Sequence, residues 1–67
     1  MKLIVQIPCL NEEETLAATL ADIPRQVDGI DQVEVLIIDD GSTDNTSQVA
    51  RQHGADHIVR FAQNRGL

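Results

Sequence analysis

Val33-Glu34-Val35-Leu36-Ile37-Ile38-Asp39-Asp40-Gly41-Ser42 is the stretch that decides the fold. Its first six residues are aliphatic apart from Glu34 and mostly β-branched, which suits a strand. They run without a break into a paired-acid turn. Upstream, Lys2-Leu3-Ile4-Val5-Gln6-Ile7 is a second run of this kind, ended by Pro8. Its near-continuous apolar character predicts a central parallel strand covered on both faces.

Between the two runs, Asn11 stands three positions before Glu14, the pattern of an N-cap with a capping-box acid. Glu12, Glu13 and Glu14 then fill a first turn that favours negative charge. Leu16, Leu20 and Ile23 form one apolar stripe flanked by Ala17 and Ala21, and Pro24 ends the helix. Residues 24–32, with Gly29, read as a surface connection. After the acidic turn, Ser42 or Thr43 is placed to cap a second helix, with Val49, Ala50 and His53 facing inward and Gly54 as its stop. Residues 56–61 predict a weaker third strand. The order β-α-β-α-β calls for an α/β fold with a parallel sheet, and right-handed crossovers put the carboxyl ends of its strands on one rim, where such sheets bind ligands. Both polar clusters, residues 8–12 and 39–42, fall there.

The chain has 67 residues and a formal charge of -6, from 11 acidic and 5 basic side chains. That is one small unit at most, and below about 70 to 80 residues a core supplies only a few kcal/mol without staples. Cys9, the single cysteine, closes no bridge within the chain and leans the reading toward a reducing, cytoplasmic setting. Five scattered basic residues argue against a nucleic-acid surface. The apolar run at 3–7 is far too short to span a membrane or to act as a secretory signal.

Asp39 and Asp40 admit three readings: hydrogen bonding to a base or ribose, bonding within the turn, or a share in a metal site. Adjacent strand residues point to opposite faces, so the pair does not form a bidentate cage. One Asp is expected to face the core and take backbone donors while the other reaches the rim. Asn11 serves equally as a helix cap or a ligand contact. Glu12 is placed to accept bonds from sugar hydroxyls or from nearby backbone groups, and Pro8 and Leu10 offer either an apolar edge to a planar ring or simple packing. A buried thiol explains Cys9 more economically than a nucleophile, because neither His53 nor His57 stands in a triad relation to it. Arg60 and Arg65 lie where phosphate could be met, although isolated arginines are usually solvated. No Walker lysine loop and no GxGxxG is present, which disfavours ATPase and dinucleotide readings.

In combination, Ile7-Pro8-Cys9-Leu10-Asn11-Glu12-Glu13-Glu14, the run from Val35 through Asp39-Asp40-Gly41-Ser42 to Thr46, and Asn64-Arg65-Gly66-Leu67 resemble the N-terminal part of an inverting family 2 glycosyltransferase. The tone is that of polyprenyl-phosphate sugar synthases of the dolichyl-phosphate mannose synthase kind. The resemblance implies that residues 1–67 are a partial nucleotide-sugar-binding domain, the N-terminal half of a Rossmann-like glycosyltransferase A fold. It implies that Pro8 and Leu10 line the base or ribose of a UDP- or GDP-sugar, where the family often has Tyr at the position of Leu10. Glu12 lies beside the ribose or base, Ile38 offers an apolar or backbone contact, and Asp40 bonds the base. Asn11 and Asp39 support the loops, and Arg65 approaches the diphosphate or acceptor.

The acceptor implied is a hydroxyl or a polyprenyl phosphate, and the parent enzyme is cytoplasmic or membrane-associated. The resemblance places the Mg or Mn ligands and the catalytic base after Leu67, so neither catalytic nor metal-binding residues are expected in this stretch, which alone is expected to be inactive. Two further classes stay open from the residues themselves: a non-catalytic nucleotide or metabolite binding module, and a small α/β module that self-associates through exposed sheet edges.

Overall fold

A computed structural model describes residues 1–62; Arg65 and the turn at 64–67 lie outside the described residues. The elements follow the expected order: β1 (Lys2–Cys9), α1 (Leu16–Ala21), β2 (Gln32–Asp39), α2 (Thr46–Gln52) and β3 (His57–Arg60). The strands form one parallel sheet in the order β1-β2-β3. Among the described residues the central strand is therefore β2, not β1 as its apolar run suggested.

Along β2, Val33, Val35, Ile37 and Asp39 are buried while the alternate residues are only half-buried or exposed. Both helices lie on the buried side. Leu16 and Leu20 of α1 and Ala50 of α2 pack with Val35, Ile37 and Cys9 into one core cluster, edged by Val5, Ile7, Ile23, Val49 and Ile58. Burying a Leu or Ile side chain stabilises by roughly 1.5–3 kcal/mol, so these few residues carry most of the apolar contribution. On the other face Ile4 is 53% and Val59 45% exposed. There Glu34 ties the three strands together, accepting from Lys2 Nζ at 3.2 Å and pairing with His57 Nε2 at 2.9 Å.

Pro8 does not end β1, which continues to Cys9. The reason lies in the parallel ladder. The Met1 and Cys9 carbonyls accept from the amides of Asp31 and Asp40, so the odd-numbered residues of β1 turn their polar groups toward β2. The ring nitrogen of Pro8, at an even position, faces away from β2, where a missing N–H costs no ladder bond with it.

The helix starts also differ. The cap of α1 is Thr15, and Asn11 sits outside the helix with φ 52°. Residues 13–15 form a turn leading into α1, closed by the Thr15 and Leu16 amides on the Glu12 carbonyl. No capping box forms, because the Asn11 side chain is used across the rim. Helix α2 starts after Asn45 instead of Ser42 or Thr43, and its C-cap His53 is exposed where an inward position was expected. Gly54 does follow the helix end with φ 93°, a left-handed conformation that glycine adopts without strain.

At the rim formed by the amino ends of β2 and β3, Asp56 Oδ2 accepts from the Val35 amide at 2.7 Å and from Arg25 Nη1 at 3.0 Å. Arg25 also donates to the carbonyls of Val33 and Gly54. This clasp joins the α1–β2 connection to the α2–β3 connection and leaves the opposite rim to the polar loops.

Candidate functional site at the carboxyl rim of the sheet

Parallel pairing brings the ends of β1 and β2 side by side, with Pro8 opposite Ile38 and Cys9 opposite Asp39. The two following loops are then knitted together. The Asn11 amide donates to Ser42 Oγ at 2.9 Å, and Asn11 Oδ1 accepts from the Thr43 amide at 2.9 Å. The Glu12 amide donates to Thr46 Oγ1 at 2.9 Å, and the Glu13 amide to Asp44 Oδ2 at 3.3 Å. Asp44 Oδ1 also accepts from the Thr46 amide, which serves the start of α2 in place of a side chain at the cap. Each of these bonds spans more than thirty residues of chain except the last. Loop one thus depends on loop two for its shape.

Asp39 is 0% exposed. Its Oδ1 accepts from the Ser42 amide at 2.9 Å, and its Oδ2 accepts from Ser47 Oγ at 2.5 Å and from Arg60 Nη1 at 3.1 Å. Burial pushes its carboxyl upward, but the bonds from Ser42 and Ser47 and the Arg60 charge outweigh that and hold it below the ordinary Asp value. This is the core-facing Asp that the sequence called for, supporting its own turn. Gly41 makes that turn with φ 83°.

Asp40 departs from the expected rim position, being only 2% exposed, while its amide closes the ladder onto the Cys9 carbonyl. A base reaches this carboxyl only if the residues covering it move. Pro8, Leu10, Asn11 and Glu12 are exposed, and Ile38 is half-buried beside Pro8. Pro8 and Glu12 also line a hollow of about 150 Å³ with Ile7, Cys9, Thr15, Leu16 and Thr19, between β1 and α1. The carboxyl ends of β1 and β2 therefore bring Pro8, Ile38 and Asn11 together at the rim, with Asp39 and Asp40 buried. Leu10 stands out from it, and Arg65 lies outside the described residues.

Cys9 is buried and its thiol is pushed up to about 11, first by burial and then by the carboxylates of Glu12 and Asp39. It is a packed thiol, not a nucleophile. With its thiol less acidic and its sulfur buried, alkylation by iodoacetamide at pH 7.5 is expected to be slower than in denaturant by about a hundredfold. Equal native and denatured rates would contradict this placement.

The residue that sequence reasoning passed over is Arg60. The sequence offers it only as a phosphate contact or a solvated strand-end arginine, yet its Nη2 donates to the Ser42 carbonyl at 2.6 Å while Nη1 holds Asp39. A buried strand-end carboxylate with no cation nearby in sequence was the available signal. Among the described residues no group of three or more His, Cys, Asp or Glu side chains could hold a metal ion. Asp39 is already committed to three donors, so a divalent cation does not fit here. Nor is any helix of these residues long and apolar enough to cross a membrane.

The family model described as glycosyl transferase family 2 matches residues 4–67. An uncharacterized glycosyltransferase of Mycobacterium tuberculosis is 47% identical over 55 residues, 82% of this chain and 22% of that protein. A dolichyl-phosphate hexose transferase of Haloferax volcanii is 40% identical over 65 residues, 97% of this chain and 27% of that protein. A validoxylamine A glucosyltransferase of Streptomyces hygroscopicus is 41% identical over 51 residues, 76% of this chain and 12% of that protein. The chain thus spans 12% to 27% of the length of these curated relatives. No solved structure matches it.

Proposed function

The chain belongs to glycosyl transferase family 2, and from that membership we propose that it is the donor-gripping part of an enzyme that moves a sugar from a UDP- or GDP-sugar to an acceptor with inversion. The observation that supports this most is the knitted rim. Two loops separated by a whole βα unit share bonds from Asn11 to Ser42 and Thr43, beside the apolar pair Pro8 and Ile38. The carboxyl ends of parallel strands are where open α/β sheets take ligands, and an apolar pair beside a few fixed polar groups suits a nucleoside.

In this reading Pro8 and Ile38 face the base, Leu10 folds over it, Glu12 takes ribose hydroxyls, and Asp40, 2% exposed before binding, bonds the base edge once the residues covering it move aside. Asn11 and Asp39 hold the loops, and Arg65 meets the diphosphate or acceptor. The acceptor is a hydroxyl or a polyprenyl phosphate, the latter favoured by the name of the Haloferax volcanii relative. Mg or Mn would add positive charge at the departing diphosphate, but the described residues do not furnish its ligands, and no step assigned to them runs through a metal. Their part is binding and orientation.

Calorimetric titration with UDP and GDP, with and without Mn, tests the proposal. One of the two nucleotides is expected to bind saturably, and Asp40→Asn to weaken it by about tenfold, the scale of one lost hydrogen bond to a charged group. Absence of binding by either nucleotide would contradict the donor reading. Unchanged affinity in Asp40→Asn would remove that residue from the site.

A further inference from the structure

Arg60 is the last residue of β3 and pairs in register with Asp39, on the helix-covered face of the sheet. Its side chain is 47% exposed, but its nitrogens turn inward. Nη1 donates to the fully buried Asp39 carboxylate at 3.1 Å and lies 3.5 Å from Ser47 Oγ, and Nη2 donates to the Ser42 carbonyl at 2.6 Å. One planar fork thus spans both ends of the turn at 39–42. Two acceptors held at once suit a guanidinium and not an ammonium, which acts as a single point charge.

We propose that Arg60 is a positioning residue of the nucleotide site, holding the 39–42 turn in the shape that sets Ile38 and Asp40 for the base. This rests on the donor reading above. Asp39 is a buried anion held by a backbone amide and a neutral hydroxyl, and Arg60 adds an opposite charge in direct contact with it. Through the Ser42 carbonyl the same guanidinium reaches the residue whose hydroxyl accepts from the Asn11 amide. Both rim loops are then tied to the end of β3. Both terminal nitrogens bond within the protein, and the role proposed for Arg60 is to act on nucleotide affinity through the turn instead of by touching phosphate.

The test compares wild type, Arg60→Met and Arg60→Lys in the protein as encoded, by titration with uridine, UDP, guanosine and GDP and by amide hydrogen exchange. Arg60→Met is expected to weaken nucleoside and nucleoside diphosphate alike, by about tenfold, and to speed exchange at Ser42 and Thr43 while Val35 in the core stays protected. Arg60→Lys is expected to recover only part of either loss. A loss confined to the diphosphates would make Arg60 a phosphate contact and overturn the proposal. So would unchanged affinity, unchanged exchange at Ser42, or full recovery with Lys. If the wild type binds none of the four compounds, the donor reading fails and the link to nucleotide affinity falls with it. In that case the exchange data still decide separately whether Arg60 clamps the turn.

Discussion

Asp39→Ala is expected to lower unfolding free energy by about 3 kcal/mol, because it strands a buried amide and a hydroxyl and leaves Arg60 without its counter-charge. The amide is that of Ser42, itself buried, and the hydroxyl is that of Ser47. Arg60 is half-exposed and can regain water, which keeps the figure below that of a fully buried pair broken on one side. Asp39→Asn keeps the shape and an acceptor for Ser42, so its cost should be smaller. Urea unfolding at pH 7 measures both. An Asp39→Ala variant within about 0.5 kcal/mol of wild type, the range of ordinary surface changes, would show that the network contributes little.

The same carboxyl gives the acid limb its sign. Its folded pKa lies below the ordinary value of 3.8, so the unfolded chain takes up a proton first as pH falls. The stability Asp39 contributes is therefore complete well above 3.8 and is lost as pH falls through that value and then through the lower folded one. Asp56 is held down in the same direction, chiefly by the Val35 amide and also by Arg25. Asp39→Asn should flatten part of this loss, and an acid limb identical to wild type would assign the dependence to other groups.

Ile37→Ala is expected to cost about 2–5 kcal/mol, the range for emptying a packed aliphatic site. Ile37 is fully buried, stands between Ile7 and Ile58 in register, and belongs to the same core as Leu16 and Ala50. Its neighbour Leu36 points to the opposite, half-open face, so Leu36→Ala should cost markedly less. Equal costs at 36 and 37 would mean that both faces of β2 are packed alike. The comparison uses denaturant midpoints and the slope of the transition, which should stay constant.

The strands, their order along the chain and the position of both polar loops on one rim were legible in the sequence. Aliphatic runs such as 33–38 carry their own signal, and crossover handedness does the rest. Helix boundaries were not legible, for a physical reason. Asn11 has the local pattern of a cap, yet its carbonyl oxygen takes the Thr43 amide thirty-two residues away, and no local pattern records that partner. The central place of β2 was missed because an apolar strand reads alike whether its second neighbour lies on one side or the other. Arg60 was missed because its role follows from register: only when Asp39 is known to sit opposite it does a strand-end arginine become the partner of a buried acid. Alternation along the strand predicts one Asp facing the core and one reaching the rim, and the family resemblance gives the rim role to Asp40, yet both carboxylates are buried.

The central claim, that this rim grips the nucleotide of a sugar donor, is tested most directly by amide chemical shifts during titration with UDP or GDP. The account predicts the largest shifts at residues 9–12 and 38–43, with the Arg25–Asp56 clasp on the opposite rim at residues 31–33 and 54–56 unmoved. Shifts centred on that opposite rim, or none with either nucleotide at saturating concentration, would contradict it.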